Sequence, residues 1–214
     1  VSLTSDLAAN LAARATQMDL LLDAQALTRC ENYVALLRKW NRVHNLTAVA
    51  SSQEILTRHL LDSLSAATFI RPGRCLDVGS GAGLPGMVLA MCHPANHWTL
   101  LEARAKKASF LREATARLAL DNIEVAQVRT EDYRPTANFD TLIARAVAPL
   151  GGLLRMTSHL MHDGLRIIAM KGARPTDELR DLPVRWQDAA QVVPVVVPGL
   201  NAQRHLVILE GVAA

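Results

Sequence analysis

The spacing of apolar positions divides the chain into two parts. Up to residue 72 they recur at helical intervals. Leu27, Tyr33, Val34, Leu37 and Trp40 fall on one stripe of a helix that Asp23 is placed to cap and that runs to about Val43. Asn45-Leu46-Thr47 interrupts it. A second helix is expected from Gln53 to Phe69, with Ile55, Leu56, Leu60, Leu64 and Ala67 toward one side. Arg71-Pro72-Gly73 reads as a turn.

After that turn, short apolar runs alternate with amphipathic ones. Strands are predicted over Arg74–Val78, Trp98–Leu101, Ile123–Val128, Phe139–Ala144 and Leu165–Met170. Helices are predicted over Leu84–Met91, opened by Pro85, over Ala105–Leu118 and over Pro149–Met161. This order implies a mostly parallel sheet with helices on both faces. The last two apolar runs, Val192–Val197 and His205–Glu210, leave no room for a helix between them and read as an antiparallel pair on the sheet edge. The expected architecture is therefore α/β and Rossmann-like. It has a mostly parallel seven-stranded sheet with an antiparallel C-terminal strand over residues 73–214, preceded by a helical extension over 1–72.

Composition narrows the class. The 214 residues are 50% apolar and 20% charged, enough for a buried core and unlike a disordered tail. No apolar run is long enough for a membrane helix, and Val1–Leu11 has no basic segment ahead of an apolar one, so a soluble cytoplasmic protein is expected. Cys30, Cys75 and Cys92 lack both disulfide-framework and zinc-site spacing and read as buried thiols; no metal site is expected. The net charge of +3 permits a nucleic-acid partner without requiring one.

The most informative stretch is Leu76-Asp-Val-Gly-Ser-Gly-Ala-Gly-Leu-Pro-Gly86. Glycines 79, 81 and 83 follow a strand and precede a helix, where they permit a sharp turn and a close backbone approach to a ligand. Gly81-Ala-Gly83-Leu-Pro-Gly86 also matches the dinucleotide GxGxxG pattern. Asp77 favours a cationic ligand group such as the amino group of S-adenosylmethionine, because a carboxylate there opposes a pyrophosphate. Glu102, ending the next strand, is suited to ribose hydroxyls in either cofactor class. Thr130-Glu131-Asp132 follows the third strand, beside the expected adenine position, and is otherwise a helix cap. S-adenosylmethionine is the favoured cofactor and a nicotinamide dinucleotide the alternative.

With those pieces in view, the chain resembles the family of ribosomal RNA small subunit methyltransferase G (RsmG, also called GidB). The resemblance is carried by Lys39-Trp40-Asn41 with Asn45-Leu46-Thr47, Arg58-His59 with Asp62-Ser63, the glycine loop, Arg145-Ala146, Lys171-Gly172, and Arg204-His205-Leu206. It implies methylation of a guanine N7 in a 16S ribosomal RNA loop near the decoding site, with 16S RNA or the 30S subunit as partner. No membrane and a monomeric state are expected. It also implies cofactor contacts at Gly79, Leu84, the Thr130-Glu131 pair and Arg145, which join Asp77, Gly81, Gly83 and Glu102. Ser80 and Thr130 depart from the commoner family residues.

Guanine N7 carries an in-plane lone pair and no proton, so its attack needs no general base and catalysis is expected to rest on positioning. Arg145, Lys171 and His59 are the positioning candidates. Arg58, His59, Lys171, Arg204 and His205 are the candidates for holding RNA. Trp40 is read as core or as a base-stacking platform, and Arg104 with Lys106 and Lys107 as a solvated face or a phosphate contact. The competing readings are a methyltransferase for a small molecule or protein, a nicotinamide-dependent oxidoreductase, and an RNA-binding module without activity.

Overall fold

The structure, a computed structural model, describes residues 5–49 and 51–210. The first four positions of the stretch read for an export signal lie outside the described residues. Seven strands form one sheet: β1 (Arg74–Val78), β2 (His97–Leu101), β3 (Ile123–Ala126), β4 (Thr141–Arg145), β5 (Arg166–Lys171), β6 (Ala190–Pro194) and β7 (His205–Leu209). Their spatial order is β3-β2-β1-β4-β5-β7-β6. The first five pair in parallel; β7 inserts antiparallel between β5 and β6. No described helix is long and apolar enough to cross a membrane.

Side-chain alternation sorts the sheet into two faces. Cys75, Trp98, Ile143, Ile168, Met170, Leu206 and Ile208 point to one face and Leu76, Val78, Leu101, Leu142, Ala144, Ile167, Ala169, Val207 and Leu209 to the other. Helix α7 (Leu150–Met156) and the short α9 (Val184–Ala189), through Trp186, cover the second face. The first face carries α5 (Gly86–Cys92), α6 (Ala105–Arg117) and the N-terminal helices α1 (Ser5–Thr16) and α2 (Ala24–His44). Cys30, Tyr33 and Leu37 of α2 share a core with Met87 of α5 and with Phe110 and Leu111 of α6.

The helix signals of the N-terminal part act as expected. The Asp23 carboxylate accepts from the Ala26 N–H at 2.7 Å, and Asn45 ends α2 with φ +48°. The helix expected from Gln53 to Phe69 is instead a broken rod. It comprises α3 (Ser52–Ile55), a π-helical segment over Leu56–Leu61, α4 (Asp62–Leu64) and a 3₁₀ turn at Ala67–Phe69. An apolar stripe does not signal a widened turn, because Leu56, Leu60 and Leu61 are buried here as they would be in an ordinary helix. Pro85 precedes α5 rather than opening it, after a cis Leu84–Pro85 bond. Residues 176–189 hold α9 and the equally short α8 (Thr176–Arg180), neither anticipated, since only Trp186 among their side chains is buried. The strand ladder of the Val192–Val197 run ends at Pro194, opposite His205, with one further hydrogen bond from the Val195 N–H to Arg204 O at 2.9 Å; beyond it the chain forms the β6–β7 loop.

Candidate active site

The carboxyl ends of the parallel strands carry two adjoining constructions. The first is the glycine loop between β1 and α5. Gly79, Gly81 and Gly83 have φ of +66°, +59° and +87°, values costly for any residue with a Cβ. A Cβ on Gly79 would lie 2.8 Å from Val147 Cγ2. The loop closes on itself through the Gly83 and Leu84 N–H groups, which donate to Ser80 O at 2.7 and 3.0 Å. From outside it is held by Tyr33, whose buried hydroxyl donates to Ala82 O at 2.7 Å. The N-terminal helices are thus part of the loop's support, a role that Tyr33's place on an apolar stripe does not reveal.

Two buried carboxylates underlie this loop. Alternation places the Asp77 side chain on the face covered by α5, where Oδ2 accepts from the Gly86 N–H at 2.9 Å. A Cβ on Gly86 would sit 2.6 Å from both Asp77 Cβ and Oδ2, so that glycine is required by close packing. Ser80 Oγ donates to the Asp77 backbone carbonyl at 2.9 Å, and the buried Asp77 Oδ1 has no hydrogen-bond partner among the described residues. Burial pushes the Asp77 carboxyl up to about 7, against the opposing pull of the Gly86 N–H. Glu102, after β2, accepts from the Gly81 N–H at 3.0 Å through Oε2 and from the Arg104 N–H at 2.7 Å through Oε1. Each oxygen keeps a further lone pair for a ligand hydroxyl. Leu84 is buried in the loop, and Thr130 and Glu131 form a 3₁₀ turn after β3, Thr130 half-buried and Glu131 exposed.

The second construction is a cleft of about 470 Å³. It is lined by Arg58, His59 and Asp62 from the broken rod, Arg145 and Ala146 after β4, Met170, Lys171 and Gly172 from β5, and Arg204 before β7. The register Lys171↔His205 explains why a segment distant in sequence arrives here: antiparallel β7 begins where β5 ends. At the centre is Asp62, its side chain only 5% exposed. It accepts from Arg145 Nη1 at 2.9 Å on Oδ2 and from Arg204 Nε at 2.6 Å on Oδ1. Arg145 Nη1 also donates to Arg58 O at 3.1 Å. One carboxylate therefore holds both guanidiniums, one on each of its oxygens. Asp62 belongs to the motifs quoted for the resemblance, yet its spacing gave it no role; the signal was a carboxylate three residues after Arg58-His59 within an apolar helix, which must find cations when buried.

His59 is buried with both ring nitrogens engaged. Nδ1 lies 2.9 Å from Arg58 O, which can only accept, so Nδ1 carries the proton; Nε2 then accepts from the Thr47 hydroxyl at 2.7 Å. Burial lowers the His59 pKa from its usual 6.5, which keeps the ring neutral. Thr47 is positioned in turn by its N–H, which donates to Asn41 Oδ1 at 2.8 Å. Asn41, Thr47 and His59 form one chain from α2 to the cleft wall, the physical link between three sequence pieces that were separate before folding.

The remaining candidates are distributed around this cleft. Lys171 Nζ donates to Glu178 Oε2 at 2.7 Å and to Ala148 O at 3.3 Å, and the same Glu178 oxygen accepts from the Leu150 N–H at 2.6 Å. Lys171 is thus held toward α7 and α8 at the cleft edge. The exposed Arg58 pairs loosely with Glu54 at 3.8 Å, and His205 Nδ1 donates to Gly172 O at 2.8 Å. Trp40 packs edge-on against Phe110, ring centroids 5.6 Å apart, at the border of the core. Lys107 Nζ lies 3.7 Å from where a Cβ of Gly81 would be, so of the basic cluster at the start of α6 this residue reaches the glycine loop.

Comparison with solved structures establishes the fold first. The fold is that of the Rossmann-like class I methyltransferases. A putative O-methyltransferase from Klebsiella pneumoniae superposes with a TM-score of 0.57 at 17% identity, covering 84% of this chain and 90% of that one. A SAM-dependent methyltransferase from Aquifex aeolicus gives 0.52 at 17% identity, covering 74% and 93%. At the sequence level a family model described as rRNA small subunit methyltransferase G matches residues 26–207. A ribosomal RNA small subunit methyltransferase G from Methylobacillus flagellatus is 47% identical over 193 residues, 90% of this chain and 93% of that protein. The chain belongs to the rRNA small subunit methyltransferase G family.

Proposed function

We propose that this protein transfers a methyl group from S-adenosylmethionine to N7 of a guanine in 16S ribosomal RNA, acting in the cytoplasm as a monomer on RNA or the 30S subunit. One observation carries the reading: a positive-φ glycine loop over two buried carboxylates adjoins a cleft lined by Arg58, Arg145, Lys171 and Arg204. The residues present suit this cofactor. The unpartnered, buried Asp77 Oδ1 favours a cationic or proton-donating group nearby, and a dinucleotide's pyrophosphate would be repelled there. Gly79, Gly81, Gly83 and Leu84 would hold it with Asp77; Glu102 would take the ribose, Thr130 and Glu131 the adenine, and Arg145 would close the site toward the cleft.

When bound, the cofactor supplies an electrophilic methyl group. The chain's own contribution is to place the base. N7 has no proton to lose, and His59 has no free nitrogen lone pair with which to remove one. The cleft residues therefore orient rather than titrate. Arg145 and Arg204 present donors to the guanine carbonyl oxygen or to phosphate, and Asp62 offsets their charge where the guanine becomes cationic. The division between a helical extension over residues 1–72 and a catalytic domain over 73–214 remains part of this proposal, the extension bracing the loop through Tyr33.

The test is incubation with tritiated S-adenosylmethionine and 30S subunits from cells lacking N7 modification, with the label mapped by mass spectrometry. Label on a single guanine N7 is expected. S-adenosylhomocysteine binding without RNA labelling would leave the cofactor and remove the RNA substrate. Failure of both would return the loop to a dinucleotide.

A further inference from the structure

The chain Asn41–Thr47–His59 is a wall with two sides. His59 faces the cleft described above, and Thr47 lines a smaller cavity of about 200 Å³ on the other side, with Leu37, Arg38, Asn41, Arg42, Val49 and Ile55. A hydrogen bond joins the linings of the two spaces, the 2.7 Å contact from Thr47 Oγ1 to His59 Nε2. The polar lining of the small cavity is rich in donors. Arg38 and Arg42 stand one helical turn apart on the same side of α2, both exposed. Arg38 spends one N–H on Ser52 Oγ at 3.0 Å, and Arg42 has no hydrogen-bond or ion-pair partner among the described residues. Asn41 has committed its oxygen to the Thr47 N–H, which turns its NH₂ donors outward from that contact. No carboxylate lines the cavity.

Two guanidiniums and an amide with no acid between them make a site for an anion. From its place against the cleft wall we infer that this cavity binds a backbone phosphate of the RNA next to the guanine being methylated, with Arg38 and Arg42 as the phosphate ligands and Asn41 as a supporting donor. The inference rests on the RNA reading proposed above and adds a second subsite to it. A phosphate held here anchors the strand on the far side of the wall, while Arg145 and Arg204 hold the base side. The Thr47–His59 bond keeps the two at a fixed separation. Phosphate contacts of this kind set register without reading sequence, so the site contributes to RNA affinity and not to the chemical step.

The experiment is steady-state methylation of unmodified 30S subunits at several salt concentrations by wild type, the double variant Arg38→Gln/Arg42→Gln, the single variant Arg42→Lys, and Arg180→Gln. Arg180 is an exposed arginine of α8 paired with Asp177 and serves as a charge control. In the double variant KM rises about ten-fold near 0.1 M salt while kcat and S-adenosylhomocysteine affinity stay within about two-fold. The slope of log KM against log salt becomes shallower by about 0.7 to 0.9, the amount that one lost phosphate contact removes. Arg42→Lys retains most of the slope, and Arg180→Gln behaves as wild type. A double variant with the wild-type slope and KM overturns the inference while leaving the RNA reading intact. A fall in kcat at unchanged KM overturns it as well, because the residues would then serve the chemistry. If wild type labels no RNA in this assay, the proposed function falls and the subsite falls with it.

Discussion

The two ends of the site are built from different materials. The cofactor end, around β1 and β2, is made of backbone: three glycines at positive φ, and two buried carboxylates whose visible partners are loop N–H groups. The cleft end, around β4, β5 and β7, is made of side chains: Asp62 between Arg145 and Arg204, Lys171 against Glu178, and His59 held by Thr47. A backbone-built site tolerates little change at any glycine, because the geometry itself is the function. A side-chain site can lose a member and keep its shape, so its residues act through charge and orientation. The two ends should therefore fail in different ways.

The largest effect is expected at Asp62. Asp62→Asn removes the charge that holds two half-buried guanidiniums, and misplacement on the scale of an ångström costs about 100-fold in rate. Methylation measured as kcat/KM should fall at least that far, with S-adenosylhomocysteine affinity changed by less than about five-fold in calorimetry. A parallel loss of both would break the distinction between the two ends. Next is Gly79→Ala, which adds a Cβ 2.8 Å from Val147 Cγ2 at φ +66°. Left-handed strain of about 1 to 3 kcal/mol predicts about a five-fold or greater loss of S-adenosylhomocysteine affinity. RNA retention on a filter should be unchanged.

Asp77 sharpens the comparison through pH. Its folded pKa of about 7 lies above the usual 3.8, so the folded state holds the proton more tightly. Its contribution to stability is full below the lower value and is lost as pH rises to the upper one. Asp77→Asn should therefore melt above wild type at pH 8, with the advantage shrinking toward pH 4 in a series of thermal melts, while cofactor affinity falls. An advantage independent of pH would mean that the carboxylate is not the source. The smallest effect is expected for Thr47→Val, which removes the donor to His59 Nε2 and the acceptor for the Val49 N–H. Of the two, the His59 contact touches the cleft, and a hydrogen bond of about 1 kcal/mol there predicts a few-fold rise in KM for the 30S substrate at unchanged kcat.

The same difference in material decides what was legible from the sequence. The glycine loop is contiguous, its strand and helix are local patterns, and Asp77 and Glu102 end successive strands; sequence spacing carries all of this. Even there, the chain order did not reveal that Asp77 points beneath the loop toward Gly86, because facing direction depends on which sheet face α5 covers. The cleft draws on residues 47, 59, 62, 145, 171, 178 and 204, which meet only through the sheet order and the insertion of β7 between β5 and β6. Arg58, His59, Arg145, Lys171 and Arg204 were recognisable as candidates through resemblance, and the fold gathers them around one cleft. Of the carboxylates that orient them, Asp62 showed only as an acid within an apolar helix, and Glu178 gave no pattern of its own. The π-helical turn that carries Arg58 and His59 was equally hidden, since its apolar stripe reads as an ordinary helix.

The most direct test of this division is the affinity of Arg204→Gln for S-adenosylhomocysteine, measured by calorimetry beside its methylation of 30S subunits. Arg204 touches Asp62 and lines the cleft and, among the described residues, has no hydrogen bond to the glycine loop. The account predicts wild-type cofactor affinity within about two-fold together with a loss of about ten-fold or more in methylation, as expected when a charged hydrogen bond of about 1.5 to 3 kcal/mol is removed from the substrate side. Cofactor affinity that falls in step with activity would contradict it and make the two ends a single site.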